Sequence, residues 1–232
     1  MLQHFTSHER GTTRTAWLNS RHTFSFGAYH NPERSGFRAL RVINDDIVSP
    51  GAGFDPHPHR DMEIISYVVE GELVHRDSMG NGSTIGPGEV QRMSAGTGVR
   101  HSEFNGSDTQ PVRFLQIWLP RDTPGLSPSY EQKSFDLRGS PNTFHLIAAP
   151  QVDENALSIH QDVRIVAAYL TPGHCVTMEL DDKRHAWVQV VKGTLTVNDQ
   201  KLSAGDSLAA SQEPRLTFEA SEDAEVLLFD LA

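Results

Sequence analysis

Turn signals are the feature of this sequence that most limits what it can fold into. Runs rich in Gly, Pro, Ser and Asp return at short intervals, among them SPGAGFDP, SMGNGS, GPGE, SAGTG and NGSD. Between them lie short segments rich in Val, Ile, Leu and aromatic residues, a rhythm typical of β-strands joined by tight turns. Antiparallel strands that close on themselves leave no exposed edge. We therefore predict an all-β fold built from barrels or jelly rolls.

Five apolar segments illustrate the expected strands. They are ALRVIND around residues 39–45, MEIISYVVEG at 62–71, VRFLQIWLP at 112–120, AWVQVVKGTLTVN at 186–198 and AEVLLFDL at 224–231. Helical periodicity is hard to find in the sequence.

The chain also repeats itself. The segment from Pro50 to Gly71, which ends in VVEG, resembles the segment from Pro172 to Gly193, which ends in VVKG, at an offset of 122 at both ends. GPGE at 86–89 is followed in the same way by SAGD at 203–206, and Ser94 by Ser211. Self-similarity of this kind indicates a duplicated β unit. We place the join in RDTPGLSPSYEQKSFDLRGSPN and expect two domains, 1–130 and 131–232.

Composition and charge exclude several classes of function. The net charge of -10 and the lack of a basic run with interleaved aromatics disfavour direct nucleic-acid binding. No apolar run approaches the roughly 18 residues that a membrane span needs. MLQHFTSHER lacks the apolar stretch of a signal peptide, so we expect a cytoplasmic protein. The single cysteine, Cys175, limits a metal site to nitrogen and oxygen ligands.

Two short patterns among the 12 histidines carry candidate metal ligands. His57-Pro58-His59 and His101-Ser102-Glu103 each place two donors at i and i+2, on one face of a strand and about 6 to 7 Å apart. If the two strands lie side by side in a barrel, three imidazoles and one carboxylate converge on its interior. The alternative is two coincidental surface patches. Eight other histidines look isolated and are interpreted as solvent-facing or hydrogen-bonded: His4, His8, His22, His30, His75, His145, His160 and His174.

Longer motifs resemble those of a known family. GAGFDPHPHRDMEIISYVVEG resembles the first cupin motif, and GPGEVQRMSAGTGVRHSEFN resembles the second. WLNSRHTFSFGAY, GFRALRVINDD, HPHRDMEI, DSMGN, MSAGTGVRHSE, QIWL and YEQKSF all resemble the pirins, a family of bicupins. The resemblance covers most of the N-terminal two-thirds and implies two tandem cupin domains.

The resemblance also implies a ligand set. In pirins the H-x-H pair and the His and Glu of H-S-E hold the metal, which carries over to His57, His59, His101 and Glu103. Many other cupins use the Glu of the first motif, here Glu63, which we rank as a supporting or structural residue. The repeat aligns the proposed ligands and Glu63 with C-terminal residues that do not form a metal-binding set. We therefore expect a C-terminal cupin without metal ligands and one metal per chain. The aligned residues are Glu179, Asp181, His185, Phe218 and Ala220.

A ligand set of this kind suits a divalent transition metal. We expect Fe(II), with Cu, Ni, Co, Mn and Zn as alternatives. Two open positions would leave room for a substrate oxygen and for O₂. Bacterial pirins similar to this sequence are known as quercetin 2,3-dioxygenases, which implies that a flavonol's central ring is opened with O₂ and carbon monoxide is released. Our hypothesis is that the flavonol binds the metal as its enolate and that Glu103 accepts the proton.

Eukaryotic pirins imply a second interpretation. They are described as nuclear proteins whose iron state modulates association with transcription factors, so the alternative function is a non-catalytic metal and redox sensor that binds a protein partner. We expect a monomer. A third interpretation is a detoxifying enzyme for another enolisable aromatic compound.

Candidate pocket walls are the apolar residues near the ligand motifs, Phe54, Met93 and Phe104. General burial tendencies favour barrel core for each of them. Four further aromatic residues are interpreted as packing: Trp17, Phe24, Phe26 and Trp118.

Overall fold

The chain is almost entirely β-strand. The computed structural model describes residues 1–151 and 154–232. The strands of the first half are β1 (Leu2–Phe5), β2 (Gly11–Arg14), β3 (Leu18–His22), β4 (Val42–Val48), β5 (Gly53–His59), β6 (Met62–Glu70), β7 (Leu73–Asp77), β8 (Gly82–Ile85), β9 (Glu89–Ser94), β10 (Val99–Asn105), β11 (Val112–Pro120) and β12 (Ser129–Ser134). Those of the second half are β13 (His145–Ala149), β14 (Leu157–Ser158), β15 (Val163–Leu170), β16 (Cys175–Glu179), β17 (His185–Lys192), β18 (Thr194–Val197), β19 (Gln200–Ser203), β20 (Ser207–Ser211), β21 (Arg215–Ala220) and β22 (Ala224–Leu231). Two single-turn 3₁₀ helices, Ser7–Glu9 and Pro32–Arg34, are the helical elements of the described residues.

Two compact units divide the chain. The N-terminal unit contains Arg10–Ser134 and Gln151–Gln161. The C-terminal unit contains Met1–Glu9, Phe135–Pro150 and Asp162–Ala232. The prediction of an all-β chain with two β units is confirmed.

Two antiparallel sheets form the N-terminal unit. Their strand orders are β12-β9-β6-β11-β4-β3-β2 and β5-β10-β7-β8. Apolar side chains from both sheets fill part of the interior, including Val68 on β6, Leu73 on β7 and Phe114 on β11. Alternation along each strand sends the intervening side chains to the other face. Polar side chains are also buried in this unit, among them Ser66 on β6, Gln91 on β9 and Gln116 on β11.

The C-terminal unit repeats this plan with an apolar interior. Its sheets have the orders β1-β20-β17-β22-β15-β13 and β16-β21-β18-β19. A cluster of buried Val, Leu, Ala and Phe side chains fills the space, with Val188, Leu208, Phe218 and Leu228 each fully buried. Burial of apolar surface of this kind is the main stabilising contribution to a fold.

The duplication is visible in the strand pairing. Glu63 on β6 pairs with Ser94 on β9, and their equivalents His185 and Ser211 pair in the same way on β17 and β20. Backbone geometry explains why both repeats have a glycine at the equivalent positions 71 and 193. Gly71 has φ +77° and Gly193 φ +75°, and a Cβ atom would lie 2.6 Å and 2.2 Å from a backbone carbonyl oxygen of a neighbouring strand connection. Only glycine meets both demands.

The compact units differ from the predicted division at 130/131. β1 pairs with β20 from Leu2↔Ala210 to Phe5↔Ser207, and the backbone N–H of Ser7 donates to Asp206 Oδ1 at 2.6 Å, so the first nine residues belong to the C-terminal unit. β12 pairs with β9, which extends the N-terminal unit to Ser134. These two differences come from pairing between strands distant in sequence, and residues 151–161 are a third segment that departs from the predicted division.

None of the helices described in the structure has the length and apolar character that crossing a bilayer requires.

Candidate metal centre

Strands β5 and β10 carry the predicted ligands and lie side by side. Their antiparallel register sets His57 opposite His101. His59 and His57 share a face of β5 because they are two residues apart. A register shift between His101 and Glu103 brings Glu103 opposite Phe54 instead of continuing the ladder. The two i, i+2 patterns are thus neighbours in one sheet, as the sequence predicts.

Three imidazole rings converge at this point. Ring centroids are 4.6 Å apart for His57 and His101, 4.7 Å for His57 and His59, and 4.9 Å for His59 and His101. One nitrogen of each ring lies within 4.8 Å of one nitrogen of the other two. Nitrogen ligands on opposite sides of an ion are about 4.2 Å apart when each bond is about 2.1 Å. Small rotations would therefore bring all three into bonding distance of one cation.

Hydrogen bonds leave the Nε2 atoms free to bind. The Nδ1–H of His57 donates to the backbone carbonyl of Asp55 at 2.8 Å, which leaves the lone pair on Nε2. Nε2 of His59 and Nε2 of His101 are both buried and have no hydrogen-bond partner within the described parts of the chain. A buried polar atom without a partner is costly, and a metal bond would satisfy it.

A chain of side chains fixes the ring of His101. Nδ1 of His101 lies 3.4 Å from Nδ1 of His75, and Nε2 of His75 lies 3.2 Å from Oδ2 of Asp77. The carboxylate can only accept, so His75 donates from Nε2 and, as a neutral ring, accepts at Nδ1. His101 then carries its proton on Nδ1 and its lone pair on Nε2. Partners of this kind orient the metal-binding histidines of known sites.

Electrostatics keep two of the rings neutral. Burial, together with the imidazoles of His101 and His57, lowers the pKa of His59 to about 4. Burial and the imidazoles of His57 and His75 lower the pKa of His101 to about 3. A neutral imidazole is the form that binds a metal. Donor type, free lone pairs and protonation state all fit a transition-metal ion.

Glu103 lies at the edge of this cluster. One of its oxygens lies within 4.8 Å of a ring nitrogen of His101 and of a ring nitrogen of His75. The structure does not bring the four predicted ligands, His57, His59, His101 and Glu103, within that distance of one another. Three donors hold the carboxylate. Ser66 Oγ and Gln91 Nε2 donate to Oε1 at 2.7 Å and 2.9 Å, and Gln116 Nε2 donates to Oε2 at 2.6 Å. Its place as the fourth ligand stays a prediction.

A cavity of about 390 Å³ opens onto the three imidazoles. This volume lies within the range of small-molecule sites. Phe54, Trp118 and Phe26 contribute aromatic walls, with Trp118 edge-on to His59 at 5.0 Å and to Phe26 at 5.5 Å. Polar side chains complete the lining, namely Thr13, Ser20, His22, Asn44, Asp46, Glu103 and Gln116.

Two of the three predicted pocket residues lie elsewhere. Phe54 lines the cavity, whereas Met93 is 1% exposed in an apolar cluster with Ile64 and Val99. Phe104 alternates with Glu103 along β10 and lines a depression of about 840 Å³ on the other side of the strand. Phe26 and Trp118 line the cavity instead, although the sequence pattern favours a packing role for both.

Glu63 belongs to another cluster. The chain turns at Asp61, which has φ +59°, so the parity shared by His57, His59 and Glu63 in the sequence does not extend from β5 to β6. Glu63 is fully buried and accepts from Ser94 Oγ at 2.7 Å, with His160 Nδ1 at 3.4 Å. These contacts fit the structural role assigned to it.

Several functional candidates were missed in the sequence. The sequence pattern predicts an isolated His75, but this residue stands two positions before Asp77 on a strand, and that i, i+2 spacing is the signal that links the pair. Asn44 and Asp46 lie on β4, where the predicted segment stopped at residue 45. One more residue of strand would have put Asn44 and Asp46 on one face.

The aligned positions of the C-terminal unit have other roles. Phe218 and Ala220 lie in the apolar core, and Glu179 is exposed and forms an ion pair with Arg215 at 2.7 Å. His185 Nδ1 lies 2.7 Å from Ser211 Oγ. Both candidate metal clusters of the described residues lie in the N-terminal unit.

Comparison with known proteins also divides the chain into two domains. The family model described as Pirin matches residues 4–119, and the model described as Quercetinase C-terminal cupin domain matches residues 146–231. These matches agree with the two tandem cupin domains predicted from the motifs.

Full-length relatives agree with the family models. The chain is 45% identical to "Quercetin 2,3-dioxygenase" of Escherichia coli strain K12, with 97% of this chain and 96% of the relative covered. It is 42% identical to "Putative quercetin 2,3-dioxygenase" of Pseudomonas aeruginosa over 96% of each chain. The crystal structure of the bacterial pirin YhhW from Escherichia coli in complex with nickel(II) superposes with a TM-score of 0.94 at 43% identity, covering 100% of this chain and 99% of that one. The chain therefore belongs to the pirin family.

Proposed function

We propose that this chain is a metal-dependent dioxygenase that opens the central ring of a flavonol such as quercetin with O₂ and releases carbon monoxide. One observation carries the proposal: the imidazoles of His57, His59 and His101 converge on an aromatic-lined cavity of about 390 Å³, and the buried Nε2 atoms of His59 and His101 have no hydrogen-bond partner in the described chain. The names of the full-length relatives support the same activity.

The proposed ligands are His57, His59, His101 and Glu103. We propose Fe(II) as the metal, with nickel, copper, cobalt, manganese and zinc as alternatives; the crystal structure of a related bacterial pirin in complex with nickel(II) supports nickel among these. When bound, such an ion would supply a Lewis acid for a substrate oxygen, and the redox-active ions of this series would also supply redox chemistry for O₂.

The cavity walls bind and orient the substrate. Phe26, Phe54 and Trp118 offer flat apolar surfaces to an aromatic guest, and their ring contacts hold them in place. The buried Nε1 of Trp118 has no hydrogen-bond partner among the residues that the structure describes, so it remains free to donate to a substrate oxygen. Closely packed aromatic rings also exclude water from the reacting centre.

Glu103→Gln tests the site directly. The variant keeps the shape of the side chain but removes the negative charge, so we expect quercetin turnover to be abolished. Loss of the quercetin absorbance under air, with trapping of carbon monoxide, measures the reaction. Glu72→Gln, the same change at an exposed position, serves as the control. Retained turnover in Glu103→Gln, or in protein treated with a chelator, would contradict the proposal.

The metal-loaded wild type decides between the two classes of function. If it binds Fe(II) or Ni(II) but leaves quercetin unchanged under air, the dioxygenase proposal fails. Co-purification of a partner in an iron-dependent manner would then favour the sensor. The monomeric state and the cytoplasmic location stay predictions.

A further inference from the structure

Two adjacent acids on β4 have opposite environments. Asp45 faces Arg113, which donates to both of its carboxylate oxygens at 2.9 Å, and Arg10 lies 3.5 Å away. Asp46 points to the other face of the strand, into the cavity that opens onto the imidazoles. Adjacent carboxylates whose surroundings differ in this way often take separate roles in an active site.

Asp46 is buried without a full set of partners. Asp46 is 4% exposed. Ser20, which lies directly opposite on β3, donates a hydrogen bond to its carboxylate. The Oδ1 atom is buried and has no hydrogen-bond partner in the described chain. A buried carboxylate oxygen left unsatisfied costs free energy, so its presence in a cavity points to a ligand that donates to it.

Glu103, the proton acceptor expected from the sequence, is poorly placed for that role. A carboxylate has about four lone-pair positions. Ser66, Gln91 and Gln116 occupy three of those on Glu103. A metal bond would take the fourth, which leaves no position for a proton.

We propose that Asp46 is the catalytic base that takes the proton from the central-ring hydroxyl of the bound flavonol. The inference rests on the proposed function. The O–H bond of the substrate breaks, its electron pair stays on the oxygen, and the proton bonds to Asp46 Oδ1. Asp46 returns the proton when the product leaves, so the step requires no oxidant or reductant.

The charge balance around Asp46 suits a base. Burial, aided by the charges of Asp45 and Glu103, raises the pKa of Asp46 to about 7, while the Ser20 hydrogen bond and Arg10 act in the opposite direction. A general base works best when its pKa lies near the working pH. An ordinary exposed aspartate, with a pKa of about 3.9, would be a much weaker base.

The pH profile of the metal-loaded enzyme tests the inference. We expect kcat/KM of the wild type to fall on the acid side as Asp46 takes up a proton. This decrease at low pH is the acid limb of the profile. In Asp46→Asn the acid limb should disappear, and kcat/KM should drop by about 10² to 10⁴-fold. Ser20→Ala removes a hydrogen bond that lowers the pKa of Asp46, so its acid limb should move to higher pH. Asp108→Asn, an exposed aspartate changed in the same way, should match the wild type.

Anaerobic binding gives a readout independent of turnover. Calorimetry at pH 8 in two buffers of different ionisation enthalpy counts the protons exchanged, and the flavonol absorption band reports its anion. The negative charge of the bound flavonol anion should raise the pKa of Asp46 well above its value in the free enzyme and so keep the proton on Oδ1. The wild type should therefore form the anion with almost no proton released to the buffer. Asp46→Asn should either release one proton for each anion or form no anion.

The outcomes separate this inference from the proposed function. If Asp46→Asn keeps the acid limb, the rate and the proton balance of the wild type, Asp46 is not the base, although the dioxygenase proposal stands. If Ser20→Ala leaves the acid limb in place while the wild type turns over quercetin, the limb belongs to another group and the inference fails. If the wild type neither binds nor consumes quercetin, the proposed function fails, and the role of Asp46 fails with it.

Discussion

At the scale of single residues, the orientation and tautomer of the His101 ring depend on side chains that do not line the cavity. Its Nδ1–H points at His75, whose ring stacks on Tyr130 at 4.8 Å and is fully buried. Asp77 completes the chain and also accepts from the backbone N–H groups of Met79 and Asn81. The turn after β7 therefore fixes the carboxylate, the carboxylate fixes His75, and His75 fixes the tautomer of His101.

His75→Phe should weaken metal binding without removing a proposed ligand. Phenylalanine keeps the stacking on Tyr130 but offers no acceptor, so His101 loses the partner that orients it. We expect nickel affinity to fall about 10 to 100-fold, the range known for such supporting residues. Titration calorimetry with Ni(II) measures the change. His145→Phe, in the other unit, is the control, and an affinity for nickel within twofold of the wild type in His75→Phe would contradict the prediction.

At the scale of strands, the alignment of β5 with β10 depends on Gly53. A Cβ atom there would lie 2.4 Å from the carbonyl oxygen of Glu103 and 2.5 Å from Cα of Phe104. The period of two along a strand let the sequence predict which ligands share a face. The pairing of β5 with β10, the register shift before Glu103 and the addition of β1 to β20 depend on long-range packing, which short-range patterns do not encode.

Gly53→Ala should displace β5 and with it His57 and His59. Close contact with backbone atoms cannot be relieved by a side-chain rotation, so we expect a loss of about 1 to 3 kcal/mol in the free energy of unfolding and weaker nickel binding. Urea unfolding and metal titration measure the two effects. Gly82→Ala, in β8 of the same sheet, is the matched control because its nearest atoms would be 3.9 Å away. Equal behaviour of the two variants would show that Gly53 does not set the alignment.

At the scale of the whole molecule, one strand plan supports two different interiors. Ser66 pairs with Gln91 and Gln116, and these three side chains hold Glu103. The equivalent pairs of the C-terminal unit are Val188 with Leu208 and with Leu228, all fully buried. A buried carboxylate without donors would be strongly destabilising there. A second cupin without metal ligands stays a prediction from the sequence, and the register was needed to recognise that apolar residues stand where the N-terminal unit has its supporting amides.

Metal binding should therefore stabilise the two units unequally. A ligand at 100 times its dissociation constant adds about 2.7 kcal/mol to the stability of the state that binds it. We expect Ni(II) to slow hydrogen exchange of the β6 peptide Met62–Glu70 by up to about 100-fold, where exchange requires unfolding of the N-terminal unit. The repeat provides the comparison, since the β17 peptide His185–Lys192 is its counterpart in a unit that holds no proposed ligand. Mass spectrometry of both peptides with and without nickel measures the difference, and His57→Ala should abolish it. Equal slowing of the two peptides would mean that the units unfold together, and no slowing of β6 would place the metal elsewhere.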